Sequence, residues 1–182
     1  MRRFFHFLNK FFMVPMFRLG FGPFFGNPVT GYIVVLKVSG RKTGKVRYAP
    51  VNYAILDGKV YCISGFRGAA DWYRNLQKNP QVEAILPGGS IAGPTCEVTD
   101  PKLRTKAIRK ILQNGGFAGF FEGFNPYTIA DEELFSRTED MPLVCIQPAG
   151  VGSGASDPGG WAWMGMPLSV AVLIAVLWLI FR

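Results

Sequence analysis

The chain reads as a mainly β (α+β) protein, a small antiparallel barrel carrying an N-terminal amphipathic helix and a C-terminal transmembrane helix. Three observations predict this. Short strand-like runs follow one another across tight turns between residues 32 and 148, with two helical stretches among them. The first residues set phenylalanines against cations, and the last form a long uncharged run.

From the start, Phe4, Phe5, Phe7, Leu8, Phe11, Phe12 and Val14 share one broad helical face, with Arg2, Arg3, His6, Asn9 and Lys10 opposite. Residues 1–20 therefore predict an amphipathic helix. It either lies in a membrane interface or packs its phenylalanines on the core. Lys10 interrupts the apolar run and no A-x-A site follows, which excludes an export signal. Tyr32–Ser39 is almost wholly apolar, as a strand covered on both sides is. Arg47–Leu56 and Lys59–Ser64 flank Asp57-Gly58, a hairpin signal. Asp71–Asn79 predicts a short helix capped by Asp71 and ended by Asn79-Pro80.

Gln81–Leu86 and Ile91–Val98 pair around Pro87-Gly88-Gly89, and Leu143–Pro148 is the last strand. Between them Thr99 or Asp100, then Pro101, opens a helix that Gly115-Gly116 stops after Asn114. Residues 149–160 have the composition of a flexible linker. Trp161–Phe181 holds no charge; at about 1.5 Å per residue it reaches roughly the ~30 Å of a bilayer core. Trp161, Trp163 and Trp178 lie towards its ends, as interfacial anchors do. The expectation is a single-pass C-terminal anchor over residues 161–182, with a cytoplasmic globular domain over residues 21–148.

Composition narrows the function. Hydrophobic content of 49% with mean hydropathy +0.19 is high for a wholly water-exposed protein. The net charge is +8, and residues 1–56 hold nine Lys or Arg and no acid. That asymmetry suits an anionic partner such as lipid headgroups or a phosphorylated ligand. His6 is the only histidine, so a histidine triad or a His-rich metal site is excluded by count, and no metal site is expected. Cys62, Cys96 and Cys145 lie far apart in sequence, with no CxxC spacing.

The densest cations sit in Gly40-Arg41-Lys42-Thr43-Gly44-Lys45-Val46-Arg47. A nucleotide-triphosphate loop needs G-x-x-x-x-G-K-[ST] before a helix. Here three residues separate the glycines, Val46 replaces the hydroxyl, and a strand follows. What remains is a cluster that suits a phosphate, with Arg giving forked bonds and Lys point charges. A second element, Ile63 to Pro80, ends a strand at Ser64. Gly65 and Gly68 leave its backbone open to a ligand, and Trp72 and Asn75 stand one helical turn apart.

The motifs G-R-K-T-G-x-x-R and D-W-Y-x-N-L-x-x-N-P, in SGRKTGKVRYAPV and DGKVYCISGFRGAADWYRNLQKNPQV, resemble the deazaflavin-dependent nitroreductases and quinone reductases. These belong to the split β-barrel, FMN-binding-like oxidoreductases, and the resemblance covers about Phe21 to Pro148. It implies coenzyme F-420, or FMN as in wider relatives, as cofactor. By this resemblance Arg41, Lys42, Thr43, Gly44 and Arg47 bind the phosphate and acidic tail. Pro50 and Asn52 lie beside the ring, Ser64, Gly65 and Phe66 face it, and Trp72 and Asn75 close the tail site. Where the quinone-reducing members carry Ser, Lys and Tyr, this chain has Gly65, Phe66 and Asn52.

The implied chemistry is hydride transfer to a flat acceptor, which the cofactor carries without a side-chain nucleophile. Phe117, Phe120, Phe121, Phe124 and Tyr127 are the candidate acceptor pocket, with ordinary core as the other reading; Tyr127 is the candidate catalytic proton donor. Expected partners are membrane lipid and a quinone or nitro-type acceptor, and no nucleic acid. A non-catalytic accessory subunit of a respiratory or photosynthetic membrane complex is the alternative expectation.

Overall fold

The computed structural model describes residues 12–19, 21–22, 26–27, 31–65, 68–116, 119, 123–154 and 165–181. In chain order these form α1 (Val14–Arg18), β1 (Gly26–Asn27), β2 (Gly31–Ser39), β3 (Val46–Leu56), β4 (Lys59–Ile63) and α2 (Asp71–Lys78). There follow β5 (Gln81–Leu86), β6 (Gly89–Glu97), α3 (Pro101–Asn114), α4 (Asp131–Arg137), β7 (Leu143–Ile146), β8 (Gly150–Val151) and α5 (Gly165–Phe181). All six predicted strands are present.

Antiparallel pairing runs β2–β3–β4–β7–β6–β5, and β5 pairs again with β2, so six strands close into a barrel. The strand period of two sorts each strand's residues between two faces. Val34, Leu36, Val38, Val60, Cys62, Val144 and Ile146 fill the interior, which Trp72, Tyr73 and Leu76 of α2 join. Tyr61, Leu143 and Cys145 point the other way, under Ala107, Ile108 and Ile111 of α3 and Leu134 of α4. On the outer face of β2 and β5, Val35 and Ile85 take Met13 and Phe17. β2 is thus covered on both faces, as its apolar run requires.

Local chemistry explains the connections. Asp57 (φ 50°) and Gly58 (φ 72°) both take left-handed angles, the mirror-image turn that matches hairpin twist. Asp100, not Thr99, caps α3, its Oδ1 accepting the Leu103 N–H at 2.7 Å. Asp71 is not the cap of α2: Ala70 holds that position, and the Asp71 carboxylate is free to pair elsewhere. Arg104, buried on α3, donates to the carbonyls of Thr138 and Met141 and so satisfies the end of α4.

Two expectations change. Residues 149–154 are not linker: β8 pairs with β6, and Ser153 and Gly154 bond to Glu83, so the folded unit extends to Gly154. The segment is polar and glycine-rich, yet backbone groups on β6 and one carboxylate fix it. Of the predicted span Trp161–Phe181, the described residues form helix α5, Gly165–Phe181. Its 17 residues rise about 25 Å, below the ~30 Å of a bilayer core. Among the described residues no helix is long and apolar enough to cross a membrane; Trp161 and Trp163 lie outside them. Leu173, Ile174, Trp178, Leu179 and Phe181 of α5 are exposed. Of the predicted amphipathic helix, residues 1–11 lie outside the described residues, and the described turn packs Met13 and Phe17 on the barrel.

Candidate functional site

The basic turn is shaped by its own backbone. Gly40 N–H donates to the Lys45 carbonyl at 2.9 Å, and Gly44 N–H to the Gly40 carbonyl at 2.8 Å. Gly44 takes φ 67°, a left-handed angle that other side chains adopt at a cost. The turn is then fastened to α2. The Asn75 Oδ1 accepts both the Arg41 backbone N–H and its Nη1, each at 3.1 Å. Arg41 Nη2 pairs with Asp71 Oδ1 at 2.9 Å. Asn75 is buried, so this is a desolvated contact that fixes the loop against the helix.

That arrangement divides the predicted tail-binding residues by role. Arg41 is engaged by α2. Lys42, Thr43, Gly44, Lys45 and Arg47 are exposed, and the Lys42, Lys45 and Arg47 side chains have no ion-pair partner among the described residues. Arg47 stands opposite Val38, on the interior face of the barrel, at its end. Four neutral or cationic side chains therefore surround one glycine-shaped turn whose single paired arginine holds it in place.

Beside the turn the barrel opens. β3 pairs with β4 only from Tyr53 to Leu56; before that point β4 has left it, and Ser64 N–H donates to Pro142 at 2.8 Å instead. The Ser64 hydroxyl is fully buried and has no hydrogen-bond partner among the described residues. Leaving a buried hydroxyl without a partner is costly. A Cβ at Gly65 would meet nothing within 4 Å. Trp72 is buried edge-on to Tyr73, ring centroids 6.2 Å apart, and closes the barrel end as much as it lines a site. Phe66 lies outside the described residues.

Pro50 and Asn52 fall on the outer face, opposite Val35 and Ile33, with α1. Asn52 Nδ2 donates to the Tyr32 carbonyl at 3.3 Å. The aromatic segment begins at the other end of β2 from the basic turn. Gly115 abuts Gly31, where a Cβ would stand 2.8 Å from the Gly115 backbone, whereas the turn follows Ser39. Nine residues of strand separate these ends, roughly 26 Å. Phe124 packs beside the α3 cluster with the Arg137 guanidinium 5.6 Å from its ring. Tyr127 is 61% exposed and donates to the Gln113 carbonyl at 3.3 Å. Phe117, Phe120 and Phe121 lie outside the described residues.

Sequence reasoning missed a cleft of about 420 Å³ at that same end of β2, lined by Tyr32, Tyr53 and the β5–β6 turn Leu86–Ile91. Burial, with Tyr32 beside it, pushes the Tyr53 phenol above its ordinary range, so it stays a donor at neutral pH. The signal was present: once Gly40–Lys45 is the turn, the hairpin register brings Tyr32 and Tyr53 together.

The exposed cations of the turn suit an acidic ligand. A conserved hypothetical protein from Mycobacterium tuberculosis matches at 14% identity and TM-score 0.49, over 66% of this chain and 74% of its own. An F420-H2 dependent reductase matches at 21% identity and TM-score 0.43, over 63% and 93%. General Stress Protein 26 from Bacillus anthracis matches at 17% identity and TM-score 0.44, over 65% and 80%. A family model described as F420H(2)-dependent quinone reductase matches residues 17–112, more than half of the 182. The chain belongs to that family of oxidoreductases, whose cofactor is coenzyme F-420.

Proposed function

We propose that this chain reduces a planar acceptor, a quinone or nitro compound, with reduced coenzyme F-420 beside a membrane. The observation that carries the reading is the pinned basic turn, in which Arg41 is tied to Asp71 and Asn75 while Lys42, Lys45 and Arg47 have no ion-pair partner among the described residues. When bound, the coenzyme supplies a hydride to the acceptor. Lys42, Thr43, Lys45 and Arg47 would hold its phosphate and carboxylates, and Arg41 positions the turn for them. Gly65, where a Cβ would meet nothing within 4 Å, would let the backbone after Ser64 approach the ring. Tyr127, exposed at the end of the chain's aromatic segment, is the proposed proton donor to the reduced acceptor. The exposed apolar helix α5 supports attachment to lipid, where such acceptors dissolve.

The test is the triple variant Lys42→Glu, Lys45→Glu, Arg47→Glu. Its affinity for F-420, read by fluorescence quenching, should fall more than tenfold, and oxidation of the reduced coenzyme by menadione should fall with it. Melting temperature should stay within a few degrees, because none of the three side chains is in an ion pair among the described residues. Unchanged affinity with intact folding would sink the reading.

A further inference from the structure

β6 and β7 set Cys96 directly opposite Cys145, and β4 sets Tyr61 opposite Cys145 from the other side. The three side chains form one row on the outer face of the barrel. The register also identifies the kind of pair. Val98 N–H donates to the Leu143 carbonyl at 2.9 Å, and Gln147 N–H to the Pro94 carbonyl at 3.0 Å. Hydrogen-bonded pairs alternate along an antiparallel ladder, so Cys96 and Cys145 form one, with Cα atoms about 5.5 Å apart. That spacing lies inside the range of disulfides, about 4.4–6.8 Å.

The two thiols differ in access. Cys96 is exposed and Cys145 buried. The register sets Cys145 between Cys96 and Tyr61, and burial, with Cys96 beside it, pushes its thiol up. Gln147 Nε2 donates to Cys96 Sγ at 3.6 Å. Cys62 is on the opposite face, fully buried in the barrel interior, where burial pushes its thiol far up and makes it inert. Hydride transfer by a bound coenzyme uses none of these groups.

We propose that Cys96 and Cys145 are a thiol–disulfide exchange site for low-molecular-weight disulfides, Cys96 being the attacking thiol and Cys145 the resolving one. The Cys96 thiolate attacks one sulfur of a small disulfide RSSR; that S–S bond breaks, one RS⁻ leaves, and Cys96 carries the mixed disulfide. Cys145 gives its proton to the departing thiolate and attacks the Cys96 sulfur, and the second RS⁻ leaves. Two protein thiols are oxidised and one RSSR is reduced to two RSH. The product ties β6 to β7. A hydrogen-bonded pair holds its Cβ atoms wider than the ~3.8 Å of a relaxed bridge, so free thiols reopen it readily.

The experiment exposes the reduced full-length chain to oxidised glutathione and follows intact mass. The wild type should lose two hydrogens and keep no glutathione. A non-reducing peptide map should join the Cys96 and Cys145 peptides, and dithiothreitol should reverse the change. Cys145→Ala should stop at a stable Cys96–glutathione adduct, and Cys96→Ser should take up none. If Cys145→Ala fails to fold, the wild-type map alone decides, since a bridge between other positions, a persistent adduct, or no reaction overturns the proposal.

Discussion

Asn75 shows how much one side chain can organise. Its buried amide oxygen receives two donors from Arg41, and the third contact, from Arg41 to Asp71, sits at the exposed start of α2. Asn75→Ala leaves a backbone N–H and a guanidinium arm without their acceptor. We expect a stability loss of about 1–3 kcal/mol in urea denaturation, together with several-fold weaker coenzyme binding as the turn loosens. Asp71→Asn should cost far less, because that carboxylate is 70% exposed and its pairing is screened. The sequence exposed the cations of this turn but not which of them was already occupied. That depended on α2 folding back onto the turn, a contact between residues 34 apart. The burial of Ser64 was equally hidden, since tertiary packing and no local pattern brings it about.

At the scale of elements, the tail Ala149–Gly154 is held by two devices. Ala149 and Gly152 donate to β6, and Glu83 on β5 receives Lys37 Nζ at 2.9 Å, Ser153 Oγ at 2.9 Å and the Gly154 N–H. Burial alone would raise the Glu83 carboxyl, but the hydrogen bonds from Lys37, Ser153 and Gly154 outweigh it and hold it below its ordinary 4.5. A depressed folded value means the contribution is present above the unfolded value and lost as pH falls through the folded one. Thermal melts from pH 6 down to pH 3 should therefore show a drop that is smaller in Glu83→Gln, which starts lower at pH 6. Where the tail crosses β6, a Cβ at Gly93 would stand 1.9 Å from the Gln147 carbonyl oxygen. Gly93→Ala should displace the tail and lower the melting temperature by several degrees, with faster proteolysis after residue 148. Strands were legible because hairpin turns and alternation are local signals. The tail was not, because its composition says nothing about a carboxylate waiting on β5. Helix α4 escaped for a related reason, since Leu134 is its one fully buried side chain.

For the whole molecule, closure of the barrel by β2 and β5 places the basic turn and the tail on opposite faces of neighbouring residues. The family and the barrel could be read from the motifs, while the interior and exterior assignment of each charge needed the register. Helix α5 lies beyond Gly154 with its apolar side chains exposed. If it binds lipid, the full chain should sediment with membranes and resist carbonate extraction, and a chain ending at Gly154 should remain in the supernatant with the same melting temperature. Sedimentation of both forms alike would remove the membrane from the proposed function.

The pleat of β2 and β3 has a consequence for how this fold can vary. Val38 and Arg47 share the inner side of the ribbon, and Lys37 with Tyr48 the outer. Deleting one residue from the connection between them would rotate the whole of β3 by half a period, carrying Arg47 outward and Tyr48 inward. Natural length variation should accordingly gather at Asp57-Gly58 and Pro87-Gly88, and avoid the span from Gly40 to Lys45.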